Sequence, residues 1–215
     1  MIDFSIILKE FLHTQTSAPA STTLNGAIDA DDLALTLTSG AAFDSLDGPI
    51  VLKLGTELIV GTLSGNTFTV TGGASHNLRG AFRTTAASHS NGATVSAAVL
   101  YDVAATRIYD QRMPKDWAND SPAIVWGVLN PQHEFRIPVW SMDADFYCFP
   151  ATDNEIEVRA FGRLLCDRLN GITMVDTTSG TIMSASVTDG PNALIEDDTE
   201  YKRAQVIAQI KMRSR

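Results

Sequence analysis

The sequence predicts an α+β fold in which a small antiparallel β-sheet packs against a helix, with a small all-β domain inserted into the chain. Three observations carry that expectation. Thr22 to Val99 alternates short β-prone runs with turn signals and offers no helical period. Glu155 to Leu169 repeats apolar residues along one helical stripe. In Ala204 to Met212, Ala204, Val206, Ala208, Ile210 and Met212 alternate with Gln205, Ile207, Gln209 and Lys211. Such alternation places one face of a strand in a core and turns the other away from it.

Taken in order, Met1 to His13 reads as a short amphipathic helix, with Phe4, Ile7, Leu8, Phe11 and Leu12 at the 3.6-residue period. Thr14 to Thr23 is a linker of Ser, Thr and Ala punctuated by Pro19. The β-prone runs are then Leu33–Thr38, Ile50–Leu54, Glu57–Thr62 and Thr67–Thr71, with a turn at Ser64-Gly65-Asn66. Arg79-Gly80 and the run His89–Val95 close the module. The expected organisation is a discontinuous α+β domain of residues 1–20 and 100–215, and an inserted all-β module of residues 21–99. An insertion that leaves its host fold intact needs its two ends close together.

Beyond Tyr101, Pro122–Trp126 reads as a strand, Asn130-Pro131 as a loop, and Phe146–Phe149 as a second strand ended by Pro150. Thr152-Asp153-Asn154-Glu155 has the form of a capping box opening the helix to Leu169. Val158, Phe161, Leu164, Leu165 and Leu169 form its apolar stripe, Arg159, Arg163 and Asp167 lie away from it, and Gly171 sits at the C-terminal cap. Thr181–Val187 and Ala204–Met212 are the last strands, connected through Gly190-Pro191 and the acidic run Glu196–Glu200. The apolar face of the final strand is expected to pack on the helix stripe.

Composition narrows the function. Hydrophobic residues make up 44% of the chain, enough for a real core. The formal net charge is −9, whereas a duplex-DNA binder needs a basic excess to neutralise phosphates. Sequence-specific DNA binding is therefore not expected. No apolar run approaches the roughly 20 residues of a membrane helix, so the chain is expected to be soluble and made in the cytoplasm. Cys148 and Cys166 belong to no CxxC pair and read as buried free thiols.

No constellation of residues predicts a reaction. His13, His76, His89 and His133 lack metal-pair spacing. His76 and His89 both fall near the end of the β module, where solvated loop histidines are the ordinary reading. GxSxG, P-loop and GxGxxG patterns are absent. Asp31-Asp32 and Asp197-Asp198 are adjacent carboxylates, which on a strand point to opposite faces. Glu196–Glu200 lacks the EF-hand pattern and its glycine. The expectation is no enzyme, no cofactor and no bound metal. Of the tryptophans, Trp126 reads as core, and Trp117, in a polar stretch, is the interface candidate.

Two stretches resemble known families. Thr22–Asp29, Leu35–Ser39, Glu57–Val60, Gly65–Val70, Arg79-Gly80 and His89–Val95 follow one another as in a small β module that recurs in phage tail and other virion proteins. Thr106–Tyr109, the strands Pro122–Trp126 and Phe146–Phe149, the helix Glu155–Leu169 and the end Glu196–Arg203 resemble the phage tail terminator and tail completion family. Two features depart from that pattern: the spliced β module, and a loop Asn130–Asp143 rich in Phe, Trp and Pro.

The resemblance implies a structural virion protein of a tailed phage, assembled in the host cytoplasm and located in the tail or neck. It implies a homo-oligomeric ring of six that caps the tail tube, stops its polymerisation and joins it to the head-side connector. The tube protein, the connector or neck protein and DNA passing through the lumen are the implied partners, with no membrane. The interface residues it suggests are Trp117, Asp197, Asp198, Tyr201, Arg203, Lys211 and Arg213. Gln205, Gln209, Lys211 and Arg213 form the polar side of the last strand, which would line the lumen or a subunit seam. The competing expectations are a head–tail connector or neck protein, and a virion protein whose β module binds host-surface carbohydrate with Trp117 or Trp140 as stacking platform.

Overall fold

Helix α1 (Phe4–His13) buries Ile7, Leu8, Phe11 and Leu12, the apolar positions of its period. A computed structural model of the protein describes residues 4–14, 18–46, 48–72, 78–117, 120–129, 131–134, 139–152, 154–195 and 202–214. Residues 1–16 and 99–215 form one unit, and residues 17–98 form another. The architecture is mixed α+β and dominated by sheet. No described helix is long and apolar enough to cross a membrane.

The 17–98 unit contains strands β1 (Ser21–Thr23), β2 (Ala34–Thr36), β3 (Ile50–Leu54), β4 (Glu57–Ser64), β5 (Thr67–Val70) and β6 (Thr94–Ala97). They form one sheet in the order β1-β6-β3-β4-β5-β2. Its two ends then meet. Leu24 bridges Leu37, Thr38 N–H donates to Thr23 O at 2.9 Å, and Asn25 N–H donates to Thr36 O at 2.8 Å. The sheet curls into a small barrel, which removes free edges. Leu24, Leu35, Leu37, Leu52, Val60, Phe68 and Val95 are buried in it. These are the alternate positions of the β-prone runs. A short 3₁₀ turn at Ala41–Phe43 is the only helical piece among the described residues of this unit.

A buried ion pair ties the barrel's loops together. Glu57 and Arg79 are 1% and 6% exposed. Arg79 Nε donates to Glu57 Oε1 at 2.7 Å and its Nη2 to Oε2 at 3.1 Å, a bidentate fork. The other guanidinium N–H groups reach Asp29 O, Asp32 O and Ala87 O. The backbone N–H groups of Gly80 and Ala87 also donate to the carboxylate. His89 is not the solvated loop histidine expected from sequence: its Nε2 lies 2.8 Å from Glu57 Oε2. Gly80 has φ +64°, and a β-carbon there would lie 2.7 Å from Ala86 N, so the turn after Arg79 requires glycine.

The other unit continues with helix α2 (Leu100–Ala104) and strands β7 (Ile108–Asp110), β8 (Ala123–Val128), β9 (Gln132–Glu134) and β10 (Val139–Phe149). Helix α3 (Glu155–Leu169) follows, then β11 (Ile172–Asp176), β12 (Gly180–Ile195) and β13 (Lys202–Ser214). The sheet order is β11-β12-β13-β10-β8-β7, with β9 paired to β10. This sheet is larger than expected, and it is not wholly antiparallel. β7 runs parallel to β8, which requires the chain between Asp110 and Ala123 to cross back to the starting end of the sheet.

One face of this sheet carries the core. Ile124, Cys148 and Ala204 stand in one cross-strand row, and Trp126, Phe146 and Val206 in the next. All six are buried. The helices α1, α2 and α3 cover this face. Val158, Phe161, Leu165 and Leu169 of α3 are fully buried, while Arg159 and Arg163 pair outward with Glu155 and Asp167. Arg168 staples α3 to α1: its guanidinium lies 3.9 Å over the Phe11 ring and donates to Phe11 O and Thr14 O. Burial pushes its pKa down to about 10. Glu10 of α1 accepts from Ser179 N–H at 2.9 Å and Ser179 Oγ–H at 2.8 Å. Burial works to raise the Glu10 pKa, and the hydrogen bonds from Ser179 outweigh it and hold the carboxylate below its ordinary value.

Two local expectations are corrected. The N-cap of α3 is Asn154, whose side chain accepts from Ile156 N–H at 2.9 Å; Thr152 Oγ1 instead accepts from Asn154 N–H at 3.2 Å. Asparagine caps as well as threonine, and Glu155 is drawn to Arg159. Gly190-Pro191 is not the connection between the last strands. It lies inside β12, where the register shifts between Asp189 and Asn192. A bulge accommodates proline because it leaves a backbone position outside the ladder. The run Glu196–Glu200 lies outside the described residues.

That bulge brings Pro191 against α3. A β-carbon on Gly162 would lie 2.6 Å from Pro191 Cβ and 2.7 Å from Ala204 Cβ. Gly162→Val is expected to cost about 1–3 kcal/mol through overpacking, read as a lower urea midpoint at unchanged slope. In the barrel, burial raises the Glu57 pKa, but the Arg79 and His89 hydrogen bonds, the Arg79 charge and Ala87 N–H outweigh it and lower the value. A lowered carboxylate contributes stability above its unfolded value, and that contribution disappears as pH falls through the folded value. Glu57→Gln is expected to destabilise the protein by about 3–5 kcal/mol at neutral pH, because it leaves Arg79 buried without its counter-charge. Melting temperatures between pH 7 and 3 should fall less steeply in that variant than in the wild type.

Candidate functional site

The second face of the β13 sheet carries none of the described helices of its unit. Gln205, Gln209, Lys211 and Arg213 of β13 lie on it, opposite Tyr147, Asp143, Ser141 and Val139 of β10. This is the polar side that strict alternation defines. Tyr147 and Gln205 make a closed cluster with Asp145 of β10. Tyr147 Oη–H donates to Asp145 Oδ2 at 2.6 Å. Gln205 Nε2 donates to both Asp145 oxygens, at 3.0 and 3.1 Å, and lies 3.3 Å from Tyr147 Oη. Burial, then the hydrogen bond and charge of Asp145, push the Tyr147 pKa up. The phenol is held protonated as a donor.

Beside this cluster lies a cleft of about 310 Å³. Tyr147 and Phe149 form its aromatic wall, Val125 and Met113 add apolar surface, and Arg112 and Arg203 add positive charge. The Arg203 guanidinium stacks 4.3 Å over the Tyr147 ring and 5.8 Å from the Phe149 centroid. Trp117 also lines the cleft. Its ring meets Phe149 edge-on, with centroids 5.5 Å apart, and its Nε1–H donates to Ser121 O at 3.1 Å. A second, polar concavity of about 370 Å³ lies farther along the same sheet, between Leu129, Pro131 and Gln132 on one side and Ser141, Asp143 and Gln209 on the other.

The structure thus brings together two of the residues singled out from sequence, Trp117 and Arg203. Lys211 and Arg213 share the sheet face but stand far away, since the eight positions from Arg203 to Lys211 span ~27 Å of strand. Asp197, Asp198 and Tyr201 lie outside the described residues, as does His76. Trp140 is not a platform of the β module. It belongs to the other unit, on the helix-covered face, with its ring centroid 6.0 Å from that of Phe4. Trp117 also belongs to that unit rather than to the module.

The members that sequence reading missed are Asp145, Tyr147, Gln111 and Arg112. The signal for the first two was present: Asp145 and Tyr147 alternate with Phe146 and Cys148 along one strand. Arg112 had none, because it follows β7 in a turn where Gln111 adopts φ +64°. Among the described residues no group of three or more His, Cys, Asp or Glu side chains is placed to hold a metal.

The fold and this face define a sheet-dominated α+β protein with a cationic, aromatic cleft. No protein-family model matches the chain. No curated protein matches it. Among solved structures, the chain is similar to a chain from the structure titled "Virion of native gene transfer agent (GTA) particle". The two are 14% identical, the match covers 54% of this chain and 85% of that one, and the TM-score is 0.39.

Cys148 and Cys166 are both free and buried. Burial raises the Cys148 thiol well above its ordinary value, and raises Cys166 to about 11. Native protein at pH 8 is expected to react with Ellman's reagent at no more than a trace of the unfolded rate. Two thiols should appear together on denaturation.

Proposed function

We propose that this chain is a structural virion protein of a tailed phage: a tail terminator that closes into a ring, caps the tail tube, stops its growth and joins it to the head-side connector. It acts in this reading as an assembly subunit and not as an enzyme. The observation that carries the reading is the two-faced sheet. Helices bury one face along β8, β10 and β13, while the opposite face of β13 is mostly polar and carries none of the described helices, and no described strand pairs with the outer side of the edge strand β11. Met174 on that edge is 62% exposed. An open edge and an uncovered face are what a subunit offers to neighbours in a head-to-tail ring. The resemblance of Thr106–Tyr109, Glu155–Leu169 and the final strand to the terminator family supports the same role.

In this reading six copies close the ring, and Lys211 and Arg213 line a lumen or a subunit seam. DNA passes the lumen without sequence-specific contacts, consistent with a chain of net charge −9. The barrel of residues 17–98 decorates the neck.

The test is the mass of the purified protein by light scattering, with negative-stain imaging alone and after addition of tail tubes. A six-membered ring, free or formed on the tube end, is the expected result. A twelve-membered ring would replace the terminator by a connector, and a monomer that ignores tubes would remove both. If Lys211→Ala with Arg213→Ala gives normal rings and normal DNA ejection, the lumen assignment is wrong.

A further inference from the structure

We propose that copies of this chain meet strand to strand: β11 of one copy lies beside β7 of the next, both running in the same sense, so that the sheet continues across the seam. The inference rests on the ring reading above and names the two surfaces that form its seam.

The composition of β11 makes the first argument. Among the described residues no strand pairs with its outer side. It contains no lysine, arginine or proline, residues that keep an edge from pairing with another chain. It carries Ile172, Met174 and Val175, yet none of its residues is buried. Met174 holds φ +52°, a left-handed backbone that opposes an L side chain. The residue is 62% exposed, so burial within its own chain does not offset that strain. A flexible thioether in this position suits contact with a second surface.

Strand direction makes the second. The described sheet order ends at β11 on one side and at β7 on the other. β7 and β8 run parallel, and β10, β13, β12 and β11 then alternate. β11 therefore runs in the same sense as β7. A head-to-tail contact joins two different surfaces of one subunit. Rotation about an axis along the strands preserves their sense, so the C-terminal ends of β11 and of the neighbour's β7 come together.

Charge agrees with that pairing. Asp176, exposed at the C-terminal end of β11, is the sole charged residue between Leu169 and Thr188. Arg112 is exposed just beyond the C-terminal end of β7. A parallel seam sets these opposite charges at matching ends, which favours this register of approach. Two copies joined β11 to β11 about a two-fold axis would instead run antiparallel. That arrangement sets each Asp176 against Ile172 and leaves its charge without a partner.

The experiment uses the full chain carrying Thr173→Cys, Tyr109→Cys or both, treated with a short bis-maleimide. Cys148 and Cys166 are buried and stay unlabelled. The double variant is expected to give a ladder of cross-linked species that ends at the ring. The two single variants should cross-link only when mixed, and then only to dimers. Asp176→Arg and Arg112→Glu should each lower the fraction of protein in rings by about threefold or more, and together restore it; unchanged far-UV spectra check the fold. If the wild type forms no ring, alone or on tail tubes, the ring reading falls and the seam with it. If rings form but the double variant gives no ladder, or Thr173→Cys alone gives dimers, the seam is wrong and the ring reading stands. Rings that neither charge reversal disturbs would overturn the parallel seam.

Discussion

The constraint on which this molecule most depends is the position of its last strand, β13, between β10 and β12. It pairs with β10 from Arg213 and Val139 down to Ala204 and Cys148, and with β12 along nearly its whole length. One side of the strand is Ala204, Val206, Ala208, Ile210 and Met212, all buried. Burial of that row against α3 and α1 sets the register, because a one-residue slip would exchange the apolar side for the polar one. Once the register is set, Arg203, Gln205, Gln209, Lys211 and Arg213 are delivered to the opposite face. The Asp145–Tyr147–Gln205 cluster and the Arg203 stack follow from that single choice.

Helix α3 lies close enough to hold the strand in place because small groups meet at the crossing. Gly162 faces Ala204 and Pro191, and the bulge in β12 supplies the proline. Gly190-Pro191, expected in the connection between the last strands, is thus used as packing surface within a strand. The barrel of residues 17–98 solves a different problem. Its core is modest, and its loops are long. The buried Glu57–Arg79 pair answers with hydrogen bonds to several loop carbonyls and N–H groups. A buried pair of this kind contributes little beyond an apolar substitute but costs much when broken, so it selects one loop arrangement over others.

The polar face links the fold to the proposed role in assembly: one face of the sheet serves the core, and the other is kept for contacts. The buried thiols fit this picture as packing groups, since their environment suppresses the thiolate.

Periodicity alone was enough to place the elements with a clear physical signature. The helix at Glu155–Leu169, the strands at Ile50–Leu54 and Thr67–Val70, and the final strand were legible because apolar spacing directly encodes which side is buried. Trp126 as core and the placement of Arg159, Arg163 and Asp167 away from the apolar stripe of α3 were legible for the same reason. Other features had no local signal. The parallel pairing of β7, the closure of the barrel through Leu24 and Leu37, and the burial of Glu57 depend on partners 13 to 22 residues away. The cleft shows the difference most directly. Sequence could single out Trp117 and Arg203 as unusual, but they are 86 positions apart. Only the register of β10 against β13, and of β8 against β10, places them in one cavity. What each residue prefers as a neighbour is written locally, in its size and polarity. Which neighbour it receives is decided by burial of the whole sheet face at once.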